Sequence, residues 1–425
     1  MNRDAQILII GAGTFGLSTA YSMARSGYRS ITILETGSAI PSPLSAANDL
    51  NKIIRAEYED PFYTGLALEA MAKWTTDPVF APHYHQVGYL LANSAEAPEK
   101  SKKSLAKSLK SVEAHPAWKG KITPVQTRED IYAVAPALSG PMEGWVGYFN
   151  SFAGYAHSAN ALKSIHKAVV EMGVVVRCGQ TVIELLYEMK ESGAKRCVGV
   201  KTNSGENFSA DTVIITVGAC LASLLPQIGR QIVAKALCVA HIQLNAEQAK
   251  RLMGIPVTYA RDLGFFFEPD RETLQLKLCS SGAGYTNRTP LHGSTHSFPP
   301  QNNDMIPLED EKRITKLLRA ALPELAEQRL VCKHLCWIAD SADSDFILDF
   351  VPGTQGLIVA SGDSGHGFKY LPTIGRFIQD VFEQGVQNIP QWRWKEGNDA
   401  SGNVSWRTGN VADLKDAESI HTARL

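Results

Sequence analysis

The 425-residue sequence predicts an α/β fold: a doubly wound, Rossmann-like dinucleotide-binding core with a mixed-sheet region inserted into it. Three observations predict it. Residues 1–35 read as strand, glycine turn, helix, strand. Two later apolar runs, "DTVIITVG" and "GLIVASG", also end in glycines. Between them, from Ala236 to Ser280, short strand-like segments follow one another ("LCVAHIQL", "GFFFEPD", "LQLKLC").

In the first segment, Ile7 to Ile10 form an apolar run suited to a buried parallel strand. Gly11, Gly13 and Gly16 fit G-x-G-x-x-G, with Thr14 and Phe15 inside the motif. Gly11 allows a sharp turn, Gly13 lets backbone N–H groups approach a pyrophosphate, and Gly16 lets the next helix pack close to the strand. Apolar residues then recur at helical spacing (Leu17, Ala20, Met23, Ala24) until "SGY" ends the helix. Its N-terminus offers unpaired N–H groups to phosphate. "SITILE" is the second strand. Glu35 closes it where an acid can bind a ribose hydroxyl, which favours FAD or NAD.

"ADTVIITVGAC" (Ala210–Cys220) delivers a strand into Gly218, and "GLIVASGDSGHGF" (Gly356–Phe368) delivers another into glycines and Asp363. A cofactor touched by several strand ends is an extended one, so FAD is favoured over NAD. "LPTIGRFIQDVFEQ" follows as a helix. Elsewhere, the Lys- and Ser-rich stretch from Glu99 to Val112 reads as a solvated helix, "PLEDEKRITKLLRAAL" as a capped helix, and the sequence after Pro390 as a surface tail. The expected partition is a discontinuous cofactor domain (1–87, 150–225, 332–390), a substrate domain (88–149, 226–331) and a tail (391–425).

Composition narrows the partners. A formal charge of −1 without basic blocks argues against nucleic acid or an anionic membrane. Seven cysteines without a CxxC pair suggest neither zinc nor a redox pair, and read as reduced thiols. No apolar run reaches the length of a membrane span, and "MNRDAQ" leads straight into a strand, leaving no room for a signal peptide. The last residues, Ala423-Arg424-Leu425, follow the small-basic-Leu pattern of a peroxisomal address.

The stretches "SAANDLNKIIRAEY", "AHIQLNAEQA", "GFFFEPD", "LKLC", "CWIADSADSDFILD" and "SGDSGHGFKYLPTIGR" complete the pattern. With them the chain, from residue 5 to about 395, resembles the FAD-dependent amine oxidases of the monomeric sarcosine oxidase and amadoriase (fructosyl amino acid oxidase) family. The likeness is to its amadoriase and saccharopine/pipecolate oxidase branch. The resemblance implies a sarcosine oxidase-like two-domain fold, a monomer, O₂ as electron acceptor, and FAD bound covalently to a cysteine. That cysteine heads "CWIADSADSDFILD", which makes it Cys336 and not Cys332; from the residues alone Cys336 reads as core packing. The resemblance also implies that Ser45, Asn48, Asp49, Lys52, Val182 and the run Asp363, Gly365, His366, Gly367, Phe368 and Lys369 stand beside the cofactor.

Amine oxidation by a flavin takes a hydride equivalent from the carbon next to an uncharged amine, leaving an imine and reduced flavin, which passes two electrons to O₂ to give hydrogen peroxide. The resemblance implies that Arg55 and Lys369 bind the substrate carboxylate and that Lys277 assists oxygen reduction; Lys52 stands with them as a catalytic candidate. These residue types suit the tasks: a guanidinium fork matches a carboxylate, and a cation stabilises charge developing on oxygen. By pattern alone Lys52 and Arg55 share one face if helical, and Lys277 is a charge on the open face of a strand. His366 reads as a turn residue or a cofactor contact.

Two departures stand on the substrate side. Ser280 and Ser281 replace the acidic pair usual in amadoriases, and the tail motif is altered to "QWRWKEGNDASG". The leading expectation is an oxidase of a secondary amine bearing a carboxylate, fructosyl amino acid oxidase-like. Saccharopine, pipecolate or an N-methyl amino acid is the alternative substrate, and a flavin-binding amino-acid sensor is the alternative outside enzymes. Phe265 to Phe267 line a pocket or pack a core.

Overall fold

Ile7–Ile10 is buried along its whole length and lies between two parallel neighbours, Ile31–Glu35 and Thr212–Ile215. The computed structural model describes residues 2–417 except 192, 292, 398, 405, 406 and 408. This central strand belongs to a six-stranded sheet in the order Ile347–Phe350, Leu357–Ser361, Thr212–Ile215, Ile7–Ile10, Ile31–Glu35, Val175–Cys178. All pairings are parallel except the first. The Thr14–Arg25 helix packs between the Ile374–Gln384 and Ser158–Glu171 helices on one face of the sheet, and the Val182–Met189 and Lys195–Thr202 strands cover the other, so both faces are buried as a parallel sheet requires.

The inserted region is built on a ten-stranded mixed sheet that includes Ile232–Gln243, Gly264–Phe266 and Gln275–Ser280, the three strands expected between 236 and 280. The Val331–Ser341 strand pairs antiparallel with Ile232–Gln243. An expected domain boundary at 331/332 therefore falls at the start of a strand of the substrate-side sheet. Its alternation is broken by polar residues, and only the partner strand's length reveals how far it runs.

Three local expectations are corrected. Lys52–Ile54 is a strand paired with Gly154–Ala156 and not a helical turn, as suits two adjacent β-branched residues. The Leu308–Ala321 helix has no side-chain cap; Glu309, Asp310 and Glu311 in its first turn complement the helix dipole instead. The described part of the tail is docked: Ala412–Asp413 pairs with Tyr285–Thr286, and Trp392, Ala400, Val404, Arg407 and Leu414 are buried. Its apolar residues are too widely spaced to show a period. The address at 423–425 lies outside the described residues.

Candidate active site

The carboxyl ends of Ile7–Ile10, Thr212–Ile215 and Leu357–Ser361 open on one cavity of about 1330 Å³, closed from the other side by Gln275–Ser280 and Val331–Ser341. The glycine turn forms its floor. A Cβ on Gly16 would stand 1.9 Å from the Gly11 carbonyl oxygen, so only glycine lets the helix approach the strand. A Cβ on Gly13 would meet no protein atom nearer than 4.0 Å. The space beside Gly13 is cavity, the room a pyrophosphate needs. The helix behind it has no side-chain cap and no acid in its first turn, which leaves its N–H groups open to an anion. Glu35 also lines the cavity, where its carboxylate accepts from the Ala12 and Gly37 N–H groups, both at 2.8 Å. Asn51 Oδ1, Ser361 Oγ and Tyr148 OH are buried in residues of the cavity wall without a hydrogen-bond partner among the described residues. These features fit FAD: an extended groove, an anion cradle at one end and unsatisfied polar atoms along it.

Lys277 is buried, contrary to the open-face reading of its strand. Its Nζ donates to Asp49 Oδ2 at 2.5 Å and to the Asn51 carbonyl at 2.7 Å. Lys52 Nζ donates to the same Asp49 oxygen at 2.8 Å and lies 3.6 Å from Cys336 Sγ. Burial alone would raise the Asp49 carboxyl, but Lys277 and Lys52 outweigh it and hold the group well below the usual carboxylate range. Cys336 itself sits on the cavity wall against Val239 and Cys279.

A second cationic pair stands where the Lys52–Ile54 strand ends. Arg55 donates to the Glu57 carbonyl, and its guanidinium lies 5.3 Å from the Tyr58 ring centre and 5.9 Å from that of Tyr89. Lys369 Nζ donates to Tyr58 OH at 2.6 Å. Neither Arg55 nor Lys369 forms an ion pair among the described residues. Burial, then the charge of Arg55, pushes the Lys369 ammonium well below its ordinary value, with Glu57 opposing. His366 Nε2 donates to the Ser344 carbonyl at 2.8 Å, so Nδ1, 3.0 Å from Tyr58 OH, accepts from that hydroxyl. Burial, then Lys369, pulls His366 down to about 3. It stays a neutral ring that orients Tyr58.

Of the residues named from sequence, Gly11, Gly13, Thr14, Phe15, Glu35, Ser45, Lys52, Arg55, Val182, Gly218, Lys277, Cys336, Asp363, Gly365, His366, Gly367, Phe368 and Lys369 all line this cavity. Gly16 and Asp49 stand behind the wall, and Asn48 is exposed away from it. Phe265 and Phe267 face the cavity while Phe266 packs in the core, as strand alternation requires. Sequence reasoning missed the aromatic wall of Tyr58, Tyr89 and Tyr148, the buried acid Glu57, and Arg407 from the tail. It also missed Lys100, Lys103 and Lys107, whose spacing of three and four residues marked one helix face. Ser280 has its own partner: its hydroxyl donates to Asp310 Oδ1 at 2.6 Å.

Residues 6–381 match the FAD dependent oxidoreductase family. The chain is 34% identical over 439 residues to the L-saccharopine oxidase of Schizosaccharomyces pombe, covering 97% of this chain and 98% of that one. It is 24% identical to the peroxisomal sarcosine oxidase of Homo sapiens, covering 88% and 91%. Among solved structures, amadoriase II, a fructosamine oxidase of Aspergillus fumigatus, superposes with a TM-score of 0.91 at 31% identity, covering 100% and 99%. The chain belongs to the FAD-dependent oxidoreductase family, as a flavin-dependent amine oxidase of the branch that holds the amadoriases and the saccharopine and sarcosine oxidases.

Proposed function

We propose that this protein oxidises a secondary amine bearing a carboxylate, an N-substituted amino acid, to the imine, with FAD held covalently by Cys336 and O₂ as the electron acceptor. The observation that carries the reading is the pair Arg55 and Lys369: a half-buried guanidinium and a buried ammonium without an ion-pair partner among the described residues, on the wall of the cavity that the glycine turn opens. An anion between them would relieve their mutual repulsion and favour the charged form of Lys369. The Arg55 fork would take the carboxylate bidentately and Lys369 would add a point charge.

Bound FAD would supply the two-electron oxidation of the carbon–nitrogen bond. The residues that would hold it are the Gly11–Phe15 turn and Glu35 at the dinucleotide end and Asp363 to Phe368 at the ring end, with Cys336 Sγ as the covalent anchor. Lys277 presents its side-chain nitrogen to the cavity, held in place by Asp49, where it stabilises charge arising on oxygen. Tyr58, Tyr89 and Phe267 exclude water from the amine, which keeps it in the uncharged form that reacts.

The leading substrate class is fructosyl amino acid-like. A second reading, saccharopine, pipecolate or an N-methyl amino acid, is favoured by Ser280, which stands where the amadoriases carry an acid and is tied to Asp310. Anaerobic flavin bleaching against fructosyl-lysine, fructosyl-valine, saccharopine, pipecolate, sarcosine and N-methylated aromatic amino acids separates the two. A flavin that bleaches with none of them would replace the oxidase with an amino-acid sensor. The proposal extends to a monomer in the peroxisome; a reporter carrying the last dozen residues that stayed in the cytosol would remove the address.

A further inference from the structure

We propose that the cavity has a second anion subsite at its mouth, formed by Lys100, Lys103 and Lys107 with Arg261, and that the substrate is a secondary amine carrying carboxylates at both ends. The inference rests on the reading that Arg55 and Lys369 take the inner carboxylate, and it selects the second substrate reading above over the fructosyl one.

The Glu99–Ala114 helix has two working faces. Ser101, Leu105 and Val112 are buried against the protein. Lys100, Lys103, Ser104, Lys107 and Ser108, at spacings of three and four, line the cavity. A helix that only carried solvated charge would scatter its lysines around the polar face. Here the one ion pair made by the helix's lysines among the described residues ties Lys102, off the stripe, to Glu99. Among the described residues Lys100, Lys103, Lys107 and Arg261 form no ion pair.

Arg261 follows the Val257–Ala260 strand on the opposite wall, and its Nη2 donates to Ser104 Oγ at 3.1 Å. That bond ties the guanidinium to the lysine stripe. The acids nearest them on the cavity wall are engaged: Glu59 Oε1 accepts from Ser104 Oγ at 2.8 Å, Asp60 Oδ1 accepts from the Phe62 N–H at 2.9 Å as the cap of the next helix, and Asp343 and Asp345, beside Asp60, pair with Lys395. Four cations thus share the cavity with carboxylates that already have partners. An exposed lysine alone is worth little, but several converging on one concave mouth focus their field.

Between the two cationic groups runs an aromatic wall. Tyr89 lies beside Arg55 and also feels the charge of Arg261; Tyr148, Tyr259 and Phe265 continue the wall. An aliphatic arm would lie along it with its two charged ends in the two cationic groups. An uncharged polyol arm would leave the lysines without a partner.

The test uses the oxidised holoenzyme and straight-chain α,ω-dicarboxylates from glutarate to sebacate, each against the monocarboxylate of the same length. Binding is read from the perturbation of the flavin absorption spectrum. At the chain length that spans the two sites the dicarboxylate should bind about tenfold tighter, and rising salt should erode the advantage. In the Lys100→Glu, Lys103→Glu, Lys107→Glu variant, altered only at exposed positions, the ratio should fall to about one. Lys103→Gln with Lys107→Gln, which removes charge without reversing it, should give an intermediate ratio if the triple variant folds poorly. A wild-type ratio of one at every length, or a ratio that survives the substitutions, overturns the subsite. If the dicarboxylate preference is present but no carboxylated secondary amine bleaches the flavin, the subsite stands and the oxidase reading fails.

Discussion

At the scale of single residues, the site is a problem of buried positive charge. Lys277 and Lys52 share one acid, Asp49, while Arg55 and Lys369 share none among the described residues. Removing the shared acid is the harsher change. Asp49→Asn strands the buried Lys277 ammonium and the partly exposed Lys52 ammonium, and should cost about 3–5 kcal/mol, seen as a lower midpoint in thermal or urea unfolding. The pH sign follows from the depressed Asp49 carboxyl: its stabilisation is complete above the ordinary value of 3.8 and is lost only as pH falls below it. Lys369 gives the opposite kind of linkage. A bound carboxylate raises a depressed ammonium, so binding takes up a proton. Affinity for a carboxylate inhibitor should therefore tighten as pH falls from the ordinary lysine value of 10.5 toward the depressed one, and a flat titration would refute it. His366, neutral down to about 3, should contribute no step near neutrality. For Cys336→Ser the expectation is chemical: acid precipitation should leave the flavin in the supernatant, where the wild-type pellet stays yellow.

At the scale of elements, the geometry depends on close approach. The Thr14–Arg25 helix can lie against its strand only because Gly16 has no side chain. Gly16→Ala would place a methyl against the Gly11 carbonyl and should give a folded but flavin-poor protein, measured as flavin bound per chain. The Ile232–Gln243 strand does comparable work on the other wall. It pairs with Gln275–Ser280 on one side and Val331–Ser341 on the other, and so brings Lys277 and Cys336, distant in sequence, to one surface. The Lys52–Ile54 strand adds Lys52 and Arg55 from a third direction.

At the scale of the whole molecule, the C-terminal segment closes the structure. Arg407 donates from both guanidinium arms to Asp340, each at 2.9 Å, and Lys235 Nζ reaches the same carboxylate at 2.8 Å. Asp340 and Lys235 are fully buried on the substrate-side sheet, and Arg407 also lines the cavity. Arg407→Ala would leave that acid with one cation and should destabilise the fold by about 3–5 kcal/mol, with a matching fall in the thermal midpoint. We propose the two-domain partition with this segment counted as part of the structural body and with the boundary at 331/332 moved past Ser341, since the sheet does not break there.

The sequence by itself determined the dinucleotide half. Glycines at 11, 13 and 16, an acid at 35 and apolar runs of strand length constrain backbone conformation locally, and a local constraint is readable without neighbours. The resemblance extended that reading to Lys277, Arg55, Lys369 and Cys336, which all line the one cavity. Tertiary structure alone decided which charges face inward. Lys277 looked like an open-face residue until the Asp49–Asn51 segment stood over it; the Glu99–Ala114 lysines, exposed as expected, were not seen to share a cavity until Arg261 stood against Ser104; and Arg407 looked like tail until Asp340 stood beneath it. Burial and charge pairing are properties of surfaces that meet only after folding, and no periodicity along the chain encodes the partner.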